Sequence, residues 1–341
     1  MGVAPASGMR RSLPCALILG LCAACSKSPA APSSPGASNV LRGQTVNAVD
    51  RSAVSSARVQ IGNRVPVTSD GNGLFEIEVG TGVFDATIRG TAVVDRQTIV
   101  ANPSEDEVTR LSLIPVTFDL TAFDQMFRTS NQQLQRWTKR PSLLVLGSVL
   151  RYRNGAGNEY QATGEQLTDH EVQLMVQHLT EGLALLTGET FTAFETVAVE
   201  RVESGARVNV LREGWIVAGR YQGIVTFAST IGYGQWSVRP NGTVTGGSMF
   251  LDRDFDHDDG RRRLLRIHEL GHALGYLHVH SRLSIMNPAI GPEPTDFDRA
   301  AARIAFQRMP GNKAPDIDPS PTRPLFATAE GGHWMPPVFC R

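Results

Sequence analysis

Between residues 39 and 115 apolar and polar positions alternate in short runs. Successive side chains of a strand point to opposite faces, so this alternation predicts strands at 46–49, 57–61, 74–79, 83–88, 98–101 and 108–114. Asp70-Gly71-Asn72-Gly73 and Gly80-Thr81-Gly82 are turn clusters between them. Strands this short and evenly spaced, without a helical period, predict a small β-sandwich.

Beyond residue 116 the elements lengthen. Residues 118–137 are polar and mixed and yield no assignment, whereas the apolar run 142–150 fits a buried strand. Thr168-Asp169-His170-Glu171 has the form of a capping box. Val172, Met175, Val176, Leu179 and Leu183 follow it at helical spacing as far as Gly188. His170 and His178 on that helix lack the spacing that metal ligands need. Further strands are expected at 196–202, 207–211, 223–229 and 243–251.

Residues 252–259 form a dense acidic run whose last acids would cap a helix starting near Gly260 or Arg261. The same carboxylates are hard oxygen donors that suit Ca²⁺, a secondary expectation at this run. Phe297, Ala300, Ala301, Ile304, Ala305 and Phe306 recur at helical spacing within 296–309, ahead of Pro310-Gly311. From Asn312 the chain is Pro-rich and expected to be irregular, with Trp334 and Phe339 docked back on the body.

Composition narrows the class. Of 341 residues 41% are hydrophobic and 19% charged, the balance of a globular chain with a real core. Lys plus Arg and Asp plus Glu both number 33, so no global charge draws the chain to nucleic acid. Arg10 and Arg11, the apolar run 13–21, and Ala23-Ala24-Cys25 read as an export signal. That run is too short to span a bilayer. Residues 21–25 resemble a bacterial lipoprotein signal, which implies lipid on Cys25 as first mature residue and an outer-membrane or cell-surface location; otherwise the protein is secreted. The expected organisation is therefore a signal over 1–25, a flexible tether over 26–38 and a β-sandwich over 39–116. A second domain over 117–311 and a tail over 312–341 complete it. Cys15 and Cys22 leave with the signal, so no disulfide framework is expected, and Cys340 is left as the odd cysteine.

The chemistry is concentrated in His268-Glu269-Leu270-Gly271-His272-Ala273-Leu274-Gly275-Tyr276-Leu277-His278. Residues four apart on a helix share a face, so His268 and His272 can hold one Zn²⁺ with Glu269 beside them for proton transfer. Gly275 can take the positive φ of a sharp helix exit that brings His278 to the same ion. The string should arise by chance in roughly one such chain in fifty thousand. A core helix that merely carries histidines is thus the weaker explanation. His280 competes for the third position, and the spacing favours His278. Ser284-Ile285-Met286-Asn287-Pro288 places a methionine in a turn just beyond. Cys340 is read as incidental rather than as a thiolate masking the metal.

Together these residues resemble the metzincin metallopeptidases, and the short link from third histidine to Met286 resembles the matrixin branch. The resemblance implies an α+β domain: a twisted, mostly parallel sheet, an active-site helix, and a methionine turn formed by Met286. It also implies His268, His272 and His278 as zinc ligands and Glu269 as general base. Pro288, where astacin-like members have a tyrosine, argues against a tyrosine ligand. Separately, Thr68–Ile77 and Val83–Gly90 resemble the carboxypeptidase regulatory-like, transthyretin-like β-sandwich.

The expected protein is an exported, monomeric zinc endopeptidase acting on protein or peptide substrates, its only membrane contact a lipid anchor. Zinc-activated water would attack the peptide carbonyl, with Glu269 as base and then acid. The substrate would lie antiparallel along an exposed strand expected at 223–230. The alternative is a surface-tethered binding or adhesion lipoprotein whose zinc site is structural or latent.

Overall fold

The computed structural model describes residues 39–101, 107–128, 132–152, 159–222, 230–258, 260–320 and 332–340. From Asn39 on, the chain forms one compact unit. Its first part is two small sheets. Asn39–Asn47 pairs antiparallel with Leu74–Val79 and parallel with Thr109–Leu113. Val67–Thr68, Arg58–Ile61, Val83–Gly90 and Val93–Ala101 form an antiparallel four-stranded sheet. Leu74–Val79 alternates strictly between exposed and buried, as the sequence pattern requires. Leu41, Phe75, Ile77 and Leu111 of one sheet and Val59, Ile61 and Ile88 of the other share one core. Each such side chain contributes about 1.5–3 kcal/mol by leaving water.

The large sheet is built around Ser142–Leu146, Trp215–Gln222 and Thr243–Asp252, which run parallel. Val197–Glu200 continues the parallel set beside Ser142–Leu146. On the other side Gly232–Val238 turns back antiparallel along Thr243–Asp252. Two short strands, His333–Trp334 and Val338–Cys340, lie antiparallel on the outer edge of Gly232–Val238. Glu159–Gln166, with Ser148–Tyr152 and Arg207–Asn209 on its two sides, extends the far end with antiparallel pairings.

Five helices are present among the described residues. They are α1 (Leu120–Phe127), α2 (Asp169–Leu186), α3 (Arg253–Asp258), α4 (Arg262–Ala273) and α5 (Asp296–Phe306). Thr168 with Glu171 and Thr295 with Asp298 form complete capping boxes on α2 and α5. Helix α1, which the mixed sequence of 118–137 hides, starts at Asp119, whose side chain accepts from the Ala122 amide. The acidic run is itself partly helical, as α3, where Asp252 Oδ1 caps the amides of Asp254 and Phe255 at 3.1 and 3.0 Å. Phe123, Phe127, Leu179, Leu183, Ile267 and Leu270 close one apolar core between helices and sheet.

The expected α+β architecture needs correction. Strands predominate over helices and are spread over several sheets. Half of the pairings in the largest sheet are antiparallel. A helix-plus-mostly-parallel-sheet fold of the metzincin type is therefore not what the described chain shows. The physical reason is that antiparallel neighbours are added at both ends of the parallel set, two of them by short returns and the others by pairings between residues far apart in sequence.

The stretch 312–318, expected to open an irregular tail, is built into the body. Arg308 donates to both oxygens of Asp316 at 2.7 and 2.8 Å, and both side chains are fully buried. Arg96 on the Val93–Ala101 strand reaches Asp318 at 3.0 Å, and Asn312 donates to Asp316 and Asp318 at 3.1 and 2.9 Å. These charges tie α5 to the small sheets. Removing one partner leaves a buried charge uncompensated, so Asp316→Ala is expected to cost about 3–5 kcal/mol in urea unfolding. A change below about 1 kcal/mol would mean the pair is not buried in solution.

Candidate metal centre

Helix α4 lies against the Gly232–Val238 and Thr243–Asp252 strands because those strands offer glycine where the helix comes closest. A Cβ on Gly234 would stand 2.5 Å from His272 Cβ, and one on Gly247 2.4 Å from the Ala273 oxygen. Substitution at either would push the helix off the sheet. His268, Glu269 and His272 all face this buried side, with exposures of 1%, 0% and 0%.

The helix ends at Leu274, and Gly275 takes φ +102°, a backbone conformation costly to any residue with a Cβ. The chain then turns so that His278 returns to the helix face. His272 Nε2 lies 3.2 Å from His268 Nε2 and 3.1 Å from His278 Nε2. Cys340 completes the cluster. Its Sγ is 3.1 Å from His268 Nε2, 3.4 Å from His272 Nε2 and 3.6 Å from His278 Nε2. The four donor atoms lie within 4.8 Å of one another, and together these residues form a buried group that could hold a metal ion.

Each helical imidazole is held by its other nitrogen. His268 Nδ1 donates to the Ile285 carbonyl at 2.6 Å and His272 Nδ1 to that of Tyr276 at 2.7 Å. This leaves the Nε2 lone pairs aimed at the common centre. Burial pushes His268 and His278 down to about 4, and His272 well below its ordinary value for the same reason. The neutral imidazole is the form that ligates metal.

Glu269 is fully buried; among the described residues no nitrogen or hydroxyl donates to its carboxyl, and the Cys340 thiol is the group that interacts with it. Burial pushes its carboxyl well above the usual carboxylate range. Gly232 makes room for it: a Cβ there would stand 2.4 Å from Glu269 Oε1.

Met286 is fully buried beneath the site, and a Cβ on Gly271 would meet its sulfur at 2.5 Å. Its turn is pinned by α5. Asp298 accepts from the Ser284 hydroxyl and, at 3.0 Å, from the Ile285 amide, the residue whose carbonyl holds His268. Asp298 is thus a positioning residue that also caps α5, and sequence spacing alone points only to the cap.

His278 stands in the group and His280 does not: the His280 amide donates to Gln125 at 2.8 Å, and its ring centre is 6.3 Å from that of His278. Cys340, expected to be incidental, stands among the three histidines. Cys25 and most of the strand expected at 223–230 lie outside the described residues. The strand beside the site is Gly232–Val238. Of the acids considered for calcium, Asp252 caps α3, and Asp256 binds Arg220 at 2.6 Å and Arg266 at 2.7 Å. Asp259 lies outside the described residues. Among the described residues no helix is long and apolar enough to cross a membrane.

No protein-family model matches the chain, and no curated protein matches it. Among solved structures one match is the Bacillus anthracis TIE protein, with a TM-score of 0.20 and 8% identity over 62% of this chain. The match spans 41% of that protein's chain.

Proposed function

We propose that this chain is a zinc-dependent endopeptidase exported from the cell and held at the surface through lipid on Cys25. The observation that carries the reading is the convergence of three neutral imidazole nitrogens beside a fully buried carboxyl that no nitrogen or hydroxyl of the described residues satisfies. Three histidines, two of them with tautomers fixed by backbone carbonyls, fit Zn²⁺ by donor type and number. When bound, zinc would supply Lewis acidity to a water molecule and to the scissile carbonyl.

The chain's own residues do the rest. Glu269 accepts the proton of the attacking water on a carboxylate oxygen and returns it to the leaving nitrogen. The Gly232–Val238 edge takes an extended peptide antiparallel, main chain to main chain, the way it takes Val338–Cys340. Met286 is a packing floor under α4. Asp298 holds the turn that orients His268.

A second reading is favoured by one observation. Closed four-donor sites are typical of structural zinc, and Cys340 closes this one. The chain would then be a surface-tethered binding or adhesion protein. Zinc content and chelator-sensitive cleavage of casein, measured on the full chain and on Cys340→Ser, separate the two. The peptidase reading expects about one zinc per chain and cleavage lost with the metal. Stoichiometric zinc with no cleavage by either form would support the structural reading.

A further inference from the structure

The substrate edge of the candidate peptidase is already occupied, and by the chain itself. Cys340 pairs with Gly232, Phe339 with Tyr233 and Val338 with Gly234 in an antiparallel ladder. The Ile231 amide donates to the Cys340 carbonyl at 3.0 Å, and the Met335 amide donates to that of Trp236 at 2.7 Å. Phe339 lies against the Tyr233 ring at 5.5 Å. This main-chain ladder holds Cys340 at 1% exposure with its sulfur within 3.6 Å of all three histidine nitrogens.

We propose that the 333–340 segment is a built-in inhibitor: its strand takes the place of an extended peptide and its Cys340 thiolate takes the fourth metal position. The proposal rests on the peptidase reading. Two features point to it. One is geometric: the thiol is as close to the imidazoles as they are to one another, which is a ligand's place. The other is Glu269, whose fully buried carboxyl has this same thiol as its interacting neighbour, so the sulfur stands in the space where a water and a carbonyl would have to enter. A metal centre that performs hydrolysis needs an open position, and here the thiol fills it.

The hold is also of a kind that can be released. The segment contributes two strands, of two and three residues, at the outer edge of the sheet. Strands this short are marginal by themselves, so the metal–thiolate bond would be the main anchor. As a tethered occupant the segment acts at an effective concentration of about millimolar, enough to exclude a micromolar substrate. Weakening the anchor should therefore open the site without disturbing the three histidines, none of which belongs to the segment.

The test combines a spectroscopic and a kinetic readout on the full chain, on Cys340→Ser and on a chain ending at residue 331. Loaded with Co²⁺ in place of zinc, the full chain should show a thiolate-to-cobalt charge-transfer band. Cys340→Ser should bind the same amount of cobalt and lack the band. Loaded with zinc, both altered forms should cleave casein at least about tenfold faster than the full chain. Absence of the band in the full chain overturns the ligand assignment. If the full chain and Cys340→Ser cleave equally, the inhibitor fails and the peptidase stands. If neither cleaves while zinc stays bound, both fail and Cys340 is a structural ligand. Because Cys340→Ser changes one sulfur to oxygen, the test holds even if the shortened chain does not fold.

Discussion

Glu269→Gln is expected to reduce peptide hydrolysis by about 10²–10⁴-fold while leaving the metal content unchanged. The carboxyl is sealed between α4 and the Gly232 backbone, a space that an amide of the same shape can fill. The amide cannot take a proton from water near neutral pH, so the step that makes the nucleophile is lost. It is not placed among the metal donors, so binding of the ion should survive. Stability should stay near that of the parent, since burial already favours the neutral carboxyl and the amide matches its shape. The measurement is casein cleavage with parallel metal analysis, made in the full chain and in Cys340→Ser so that an occupied site cannot conceal the effect. Hydrolysis persisting at the parent rate in an active background would remove Glu269 from the mechanism. Loss of metal together with activity would make it a ligand or a structural support instead.

Much of the site was legible in the sequence because its main part is local. His268 and His272 are one helical turn apart, Gly275 marks the exit, and the ring of His278 returns over six residues of chain from His272. The helices on either side were legible for the same reason: capping boxes at Thr168 and Thr295 lie within four residues of the groups they satisfy. The rest depends on pairings between distant residues. Nothing in the spacing of Val338-Phe339-Cys340 tells that this run lies on Gly232–Gly234. A terminal cysteine looks incidental until the strand that carries it is placed. The sheet proportions failed for the same reason. Apolar runs at 142–150 and 243–251 fit parallel or antiparallel neighbours equally well, and the antiparallel additions at both ends of the large sheet come from returns that the residues do not announce. Asp298 shows a third kind of limit: its capping role is written in Thr295-x-x-Asp298, while its grip on the Met286 turn exists only in three dimensions.

His272→Ala is expected to abolish stoichiometric metal binding and, with it, the stabilisation that zinc confers. His272 is the middle donor, within 3.2 Å of both other imidazole nitrogens, so its loss leaves His268 and His278 without the ligand that bridges them. A ligand that binds only the folded state stabilises it by about 2.7 kcal/mol when present at a hundred times its dissociation constant. Thermal unfolding of the parent chain should therefore rise with added zinc and fall with a chelator, whereas the His272→Ala curve should respond to neither. The alanine also leaves a cavity in the core, so absolute stability will fall for reasons of packing. For that reason the decisive quantity is the zinc-dependent increment in each protein and not the difference between them. His280→Ala supplies the control. Its ring stands outside the donor group on the exposed side of His278, so its zinc increment should match that of the parent. Equal increments in His272→Ala and the parent would show that zinc stabilises the fold from somewhere other than this cluster. A lost increment in His280→Ala would move the third donor from His278 to its neighbour.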